Sequence, residues 1–452
     1  MYHAAVRTAS TLPKLHLASG VGLVAANMIG AGVFLSAGFM AQDMGPGHIL
    51  LAWVVGAVLA LCGALAYGAV ARLVPRSGGE YRYLSELLHP AAGYLAGWAS
   101  LLLGFSVPIA IDALAAAAFA GTVITGLPYR ATAAGLVVLL TVLHAIGFRT
   151  SFRFQNLLIA VKVLLLTAFV VVGLALGANA WPMDWVQAQT TVPFPAGPFA
   201  GSLFFIAFAF SGWNAAIYAA DEFEDPARTV PRAMIIGTVL VASLYLLVNW
   251  IFVVNLTPAD ATVVFGYDDF AKGLAGGGGS VTLGHAVMAR LVGPTAGALW
   301  SGASVLVFLS AMSAMIFLGP RVYAAMAADG YLPKFLRTTP QGHPPRAAVA
   351  LQGVLALVIV LGQELREALE KVGAILVLFA ALVALGLVVA RVRGMKPTPS
   401  KRAVVAAAIY VASSAWMFWK GFGDRPRSLL WVAGVAVVLL IAWALSRRRA
   451  QA

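Results

Sequence analysis

The chain has 452 residues, of which 61% are hydrophobic and only 10% charged, with a mean hydropathy of +0.90. Soluble domains carry about 25% charged residues, so this composition excludes a water-soluble globular protein and points to a lipid bilayer. The formal net charge of +13 invites a nucleic-acid partner, but the placement of the basic residues argues against one.

A membrane-crossing helix needs roughly 20 apolar residues. Twelve runs qualify: 17–41, 48–73, 91–125, 130–148, 156–176, 198–221, 232–256, 291–328, 346–363, 368–390, 402–420 and 428–446. With the N-terminus inside, the inner segments hold 21 Lys and Arg, the outer loops hold eight, and Lys162 within a span completes the 30. That asymmetry is the positive-inside pattern, and it predicts that both termini are cytoplasmic. Residues 1–16 and the basic tail 447–452 are then cytoplasmic segments. A short apolar core with a cleavage site, the mark of a signal peptide, is not evident at the start.

The first run is interrupted at residues 27–34, NMIGAGVF, where Gly30, Ala31 and Gly32 lie at its middle. Glycine weakens a helix interior, and an unwound turn in hydrocarbon must find partners for its amides and carbonyls. The plainer reading of such glycines is close helix packing. Cys62 is the single cysteine and lies in the second run, which rules out an intrachain disulfide. In the third, Pro108 should kink the preceding turn, Gly104 leaves room for a side chain, and Asp112 places a carboxyl at membrane depth. Lys162 sits about seven residues into the fifth run, roughly 10 Å deep at the helical rise. A buried ammonium there is by default a functional group, and snorkelling to the interface is the bland alternative.

The sixth run repeats the interruption at residues 208–216, FAFSGWNAA, with Ser211 and Gly212 at its centre. Spans 1–5 (17–176) and 6–10 (198–390) form two halves of five spans, so the second is inverted relative to the first, while 402–446 holds two further spans. Paired broken helices opening two inverted halves mark a transporter's midplane binding site. Asp221, Glu222, Glu224, Asp225, Arg228 and Arg232 follow the sixth run, with Arg76, Glu80, Arg321 and Asp329 in other inner segments. They form either an ion-pair network closing the inner path or solvated charges anchoring helix ends. The external loops 181–198 and 257–283 are read as linkers, the latter with a Gly-Gly-Gly-Gly-Ser run that lacks the features of a phosphate loop.

Four segments together resemble the amino acid–polyamine–organocation (APC) superfamily, nearest its L-type and bacterial amino acid permeases. They are NMIGAGVF (27–34), VPRSGGEYRYL (74–84), AFSGWNAAIYAADEFEDPARTVPRA (209–233) and GPRVYAAMAADGYLP (319–333), with a weaker match in QNLLIAVKVLLL (155–166). The resemblance covers about residues 15–395. It implies that an amino acid's carboxylate rests on the amides of Gly30, Ala31 and Gly32. Its amino group would meet carbonyls of Met28 and Ile29, and of Phe208 and Ser211. Opposed half-helix ends suit a zwitterion, since amide ends attract anions and carbonyl ends attract cations. Phe208 matches the aromatic gate, with Trp213 and Asn214 in the wall; Asn27 faces either substrate or a structural hydrogen bond.

The resemblance also implies that Lys162 stands where sodium-coupled members bind a cation, near the carbonyls of Gly22, Val24 or Ala25 and the hydroxyls of Ser310 or Ser313. Two roles follow: carrying a coupling proton, or fixing span 1. Asp112 departs from the family's apolar third span. It is open to reading a basic solute, relaying a proton, neutralising Lys162 or bonding to a neighbouring helix. The expected fold is an all-α polytopic membrane protein, and the expected function is secondary transport of amino acids by alternating access. An apolar wall of Gly104, Val107, Pro108, Ile111, Phe208 and Trp213 favours neutral amino acids, while Asp112 keeps cationic amino acids and amines in play. The seven histidines are scattered without a metal-binding pair, so no metal, cofactor or enzymatic role is expected. A channel or transport-dead sensor on the same scaffold is the alternative class. Protein partners are not indicated.

Overall fold

The computed structural model describes residues 14–41, 43–124, 126–146, 148–177, 194–255, 282–337, 346–362 and 365–422, with isolated helical positions between 437 and 444. Among these residues nine helices are long and apolar enough to cross a bilayer. Helices α7 (Tyr129–Ile146) and α8 (Phe148–Leu176) turn Leu139, Val142, Leu164 and Val171 outward. Apolar side chains exposed in such number suit lipid rather than water. The chain is an integral multi-pass membrane protein.

The first expected span is two helices, α1 (Leu17–Met28) and α2 (Ala31–Ala41), separated by Ile29 and Gly30. Next come α3 (Pro46–Leu73), the short α4 (Gly79–Leu87) and α5 (Pro90–Ala99). Then α5 widens into a π turn over Ser100–Gly104 before α6 (Ser106–Gly121). Pro108 has no amide with which to bond the Gly104 carbonyl. The ladder shifts accordingly: the Phe105 amide reaches back to Ser100, and the Ser106 hydroxyl takes the Leu101 carbonyl at 2.9 Å. The expected kink is therefore a π bulge.

The sixth span is likewise divided. Helix α9 (Ala196–Phe210) ends in an irregular turn at 211–214, and the single helical turn α10 (Ala215–Tyr218) follows. Beyond it come α11 (Pro226–Val254), α12 (Leu283–Leu291), α13 (Pro294–Ala328), α14 (Arg346–Gly362), α15 (Leu365–Val392) and α16 (Lys401–Phe422). The expected run 291–328 starts later than its hydropathy suggests. Gly293, at φ +126°, and Pro294 end α12 and start α13 as a separate helix. Most of the expected twelfth span, 428–446, lies outside the described residues, as do most of the loops 181–198 and 257–283 that were expected to be external.

The two divided spans are neighbours. A Cβ on Gly32 of α2 would lie 2.5 Å from the Ala209 Cα of α9, so only glycine lets these backbones meet. The Ser36 hydroxyl donates to the Phe205 carbonyl across the same contact, at 3.3 Å. At the end of the bundle where α1 begins, Leu15 pairs with Phe223 as a parallel bridge. The Leu15 amide donates to Glu222 O at 2.7 Å, and the Lys14 ammonium donates to Asp221 O at 2.8 Å. In the first turn of α2, just beyond the break, Phe34 forms an edge-to-face cluster with Phe119 and Phe308, with centroids 5.0–6.4 Å apart.

Candidate functional site

Both interruptions that glycine suggested are real, and they abut. Gly212 adopts φ +101°, a left-handed conformation. A Cβ there would sit 2.7 Å from the Asn27 Cβ and 2.8 Å from the Asn27 carbonyl carbon. Asn27 itself donates to the Leu23 carbonyl at 3.2 Å and also borders the cavity beside the second break, so both roles open to it are compatible with its position. The Tyr245 hydroxyl of α11 lies 2.6 Å from the Met28 carbonyl and 3.0 Å from that of Ala209, tying the two breaks together. The Ser211 amide turns back to the Phe208 carbonyl at 2.9 Å.

Unwinding leaves α1 with a carbonyl pole and α2 with an amide pole. Side chains of the surrounding helices fill both. The Lys162 ammonium donates to the Ala26 carbonyl at 2.8 Å and to the Ile29 carbonyl. It is fully buried and does not snorkel. Asp112 accepts from the Ala31 amide at 2.7 Å, and its two carboxylate oxygens lie 3.0 and 3.3 Å from where a Gly30 Cβ would be. The two opposite charges act on one another across the break. Lys162 thus finds carbonyls one turn nearer the break than the Gly22, Val24 and Ala25 carbonyls that were expected. Ser313 is also placed differently: its hydroxyl is 2.8 Å from the His144 ring of α7. Ser310 is buried in the same helix.

Between the second break and α4 lies a cavity. Asn27, Gly104, Ser211, Gly212, Trp213 and Asn214 line it. Pro108, Val107, Ile111 and Phe208 are instead buried in the packing behind it, so Phe208 does not stand at this cavity's wall. Glu80 departs from both roles left open to it, an ion pair or a solvated anchor, because it is buried. It does not join an ion-pair network. It lines the cavity and accepts from Asn214 Nδ2 at 2.5 Å, the Tyr218 hydroxyl at 2.5 Å and the Tyr67 hydroxyl at 3.2 Å. Trp213 packs edge-on against Tyr67 at 4.6 Å.

Burial raises the Glu80 carboxyl above its ordinary 4.5, against the opposing hydrogen bonds from Tyr218, Tyr67 and Asn214. The folded protein therefore holds this proton more tightly than the unfolded chain does. Its contribution to stability is full below the ordinary value and is lost as pH climbs through the raised one. Glu80→Gln should flatten the dependence of unfolding temperature on pH above 4.5. A variant that kept the wild-type slope in thermal unfolding would place that proton elsewhere.

At the end of the bundle where α1 begins, charged side chains meet across neighbouring segments. Arg321 grips Glu222 through two contacts of 2.5 and 3.1 Å and stacks over the Phe317 ring at 3.8 Å. Arg82 pairs with Asp329 at 3.0 Å, and the Tyr81 hydroxyl donates to the same carboxylate at 2.5 Å. Asp221 and Ser77 exchange two hydrogen bonds, at 3.0 and 3.2 Å. Asp225 with Arg228, at 3.6 Å, and His16 with Glu224, at 3.1 Å, are exposed pairs of the solvated kind.

A family model described as amino acid permease matches residues 15–445. Among curated proteins, the b(0,+)-type amino acid transporter 1 of Mus musculus is 25% identical over 396 residues, covering 85% of this chain and 77% of the relative. The large neutral amino acids transporter small subunit 2 of Rattus norvegicus is 26% identical over 442 residues, covering 94% and 79% respectively. The Homo sapiens b(0,+)-type transporter is 24% identical over 431 residues, covering 93% and 85%. These relatives are transporters rather than enzymes.

Proposed function

Because the chain belongs to the amino acid permease family, we propose that it is a secondary transporter that moves amino acids or the related organic amines by alternating access. The observation that carries this reading is the contact of the two breaks, Gly212 against Asn27, beside a cavity lined by Ser211, Trp213 and Asn214. Broken helices meeting at one place are the signature of this transport mode. The solute binds there, and spans 1 and 6 rock with their bundle against the remaining helices. Spans 1–5 and 6–10 are the two inverted halves, spans 11 and 12 lie outside the repeat, and both termini are cytoplasmic.

Two closures support the cycle. The Arg321–Glu222 and Arg82–Asp329 pairs close the inner side, and ion pairs are suited to breaking and reforming because each contributes only modestly. The aromatic cluster around Phe34 closes the outer side. Lys162 acts as a fixed cation: its ammonium on two span-1 carbonyls does what a bound sodium ion would do. Transport therefore runs without sodium, with protons as the candidate coupling ion.

The test is counterflow in proteoliposomes. Internal unlabelled solute should accelerate uptake of the labelled solute, saturably, and equally in sodium and in choline buffer. Flux that rises linearly with concentration would make this a channel, and no flux with any amino acid or amine would leave a sensor.

A further inference from the structure

We infer, resting on that reading of the site, that the solute is an organic amine without a carboxylate, and that Asp112 stands in the place where a solute carboxylate would bind. The amide end of α2 is the natural seat for an anion. Asp112 already takes the Ala31 amide at 2.7 Å, with both oxygens held over Gly30. A second carboxylate brought beside it meets like charge in a dry site, a juxtaposition that suppresses binding of the wrong solute.

The cavity wall points the same way. No Lys or Arg lines it among the described residues, and its one carboxylate is Glu80. Lys162 has no countercharge to spare for a solute, because it is fully buried, already compensates Asp112 and donates to the Ala26 and Ile29 carbonyls. An ammonium, by contrast, finds Glu80 together with the aromatic side chains of Trp213, Tyr218 and Tyr410. Aromatic faces attract organic cations, most strongly where water is excluded. The chain supplies the anion itself, on the third span, and leaves the cation to the solute.

Matched pairs that differ only by the carboxylate test this: arginine and agmatine, ornithine and putrescine, phenylalanine and phenethylamine. Each is added to the purified full-length protein, with thermal stabilisation and exchange in proteoliposomes as readouts. In at least one pair the amine should bind at least roughly tenfold more tightly than its acid, the ratio one charge-assisted contact supplies. Asp112→Ala frees the Ala31 amide and should shift the ratio toward the acid. Asp112→Asn, which preserves the shape, should shift it in the same direction and serves if the alanine variant fails to fold. Glu80→Gln should weaken the amine alone. A wild-type preference for the acids, with exchange intact, overturns this inference and leaves the transport reading standing. An amine-to-acid ratio unmoved by either Asp112 variant also overturns it. No exchange of any member of any pair overturns both.

Discussion

Lys162→Met should abolish exchange and destabilise the protein by about 3–5 kcal/mol, the usual cost of removing one partner from a buried charge arrangement. The substitution leaves the Ala26 and Ile29 carbonyls without their donor. It also leaves the Asp112 carboxylate uncompensated in a site with 1% exposure. The two residues act on one break, so their effects should not add. Lys162→Met combined with Asp112→Asn should cost less than the sum of the single changes, by roughly 0.5–3 kcal/mol as for other coupled neighbours. Unfolding of the four proteins in one detergent measures this. Strict additivity would show that the two charges serve separate purposes.

Gly212→Val should be the second severe change. The residue sits at φ +101°, which costs a side-chain-bearing residue roughly 1–2 kcal/mol. The added Cβ would lie 2.7–2.8 Å from Asn27, and Asn27 belongs to α1, whose neighbouring residues accept Tyr245 and Lys162. The break in span 1 must therefore move, and counterflow should be lost. Gly135→Ala on α7 is the control, since a Cβ there meets nothing within 4 Å. It should preserve transport and gain up to about 1 kcal/mol from helix propensity. Equal counterflow in the two variants would mean that close apposition of the breaks is not required.

Sequence made some of this site legible and hid the rest for identifiable reasons. Both breaks announce themselves because glycine is so poor in a helix interior, and Gly30 and Gly212 fall where the helices stop. Lys162 stands out as a charge within an apolar run. Its acceptors were misjudged by about a turn because the rotation and depth of one helix against another are set by packing. Asp112 was visible as an oddity with several roles open to it, neutralising Lys162 among them. Nothing local connects it to Ala31, 81 residues earlier. Glu80 was grouped with the inner charges because it follows a polar loop. Its actual partners, Tyr67, Tyr218 and Asn214, lie on other elements. Tyrosines inside spans look like ordinary core residues until the carboxylate they face is known. The π turn at Ser100–Gly104 was foreshadowed by Pro108, although proline alone does not specify how a helix accommodates it.

The bridge between Leu15 and Phe223 has a mechanical consequence. It stitches the strand entering α1 to the segment leaving α10, on the same side of both breaks. The lower arms of the two divided helices are thereby yoked. In the transport cycle proposed above, a tilt of one arm would carry the other with it through backbone hydrogen bonds of 2.7 and 3.3 Å, with Gly30 and Gly212 as twin pivots.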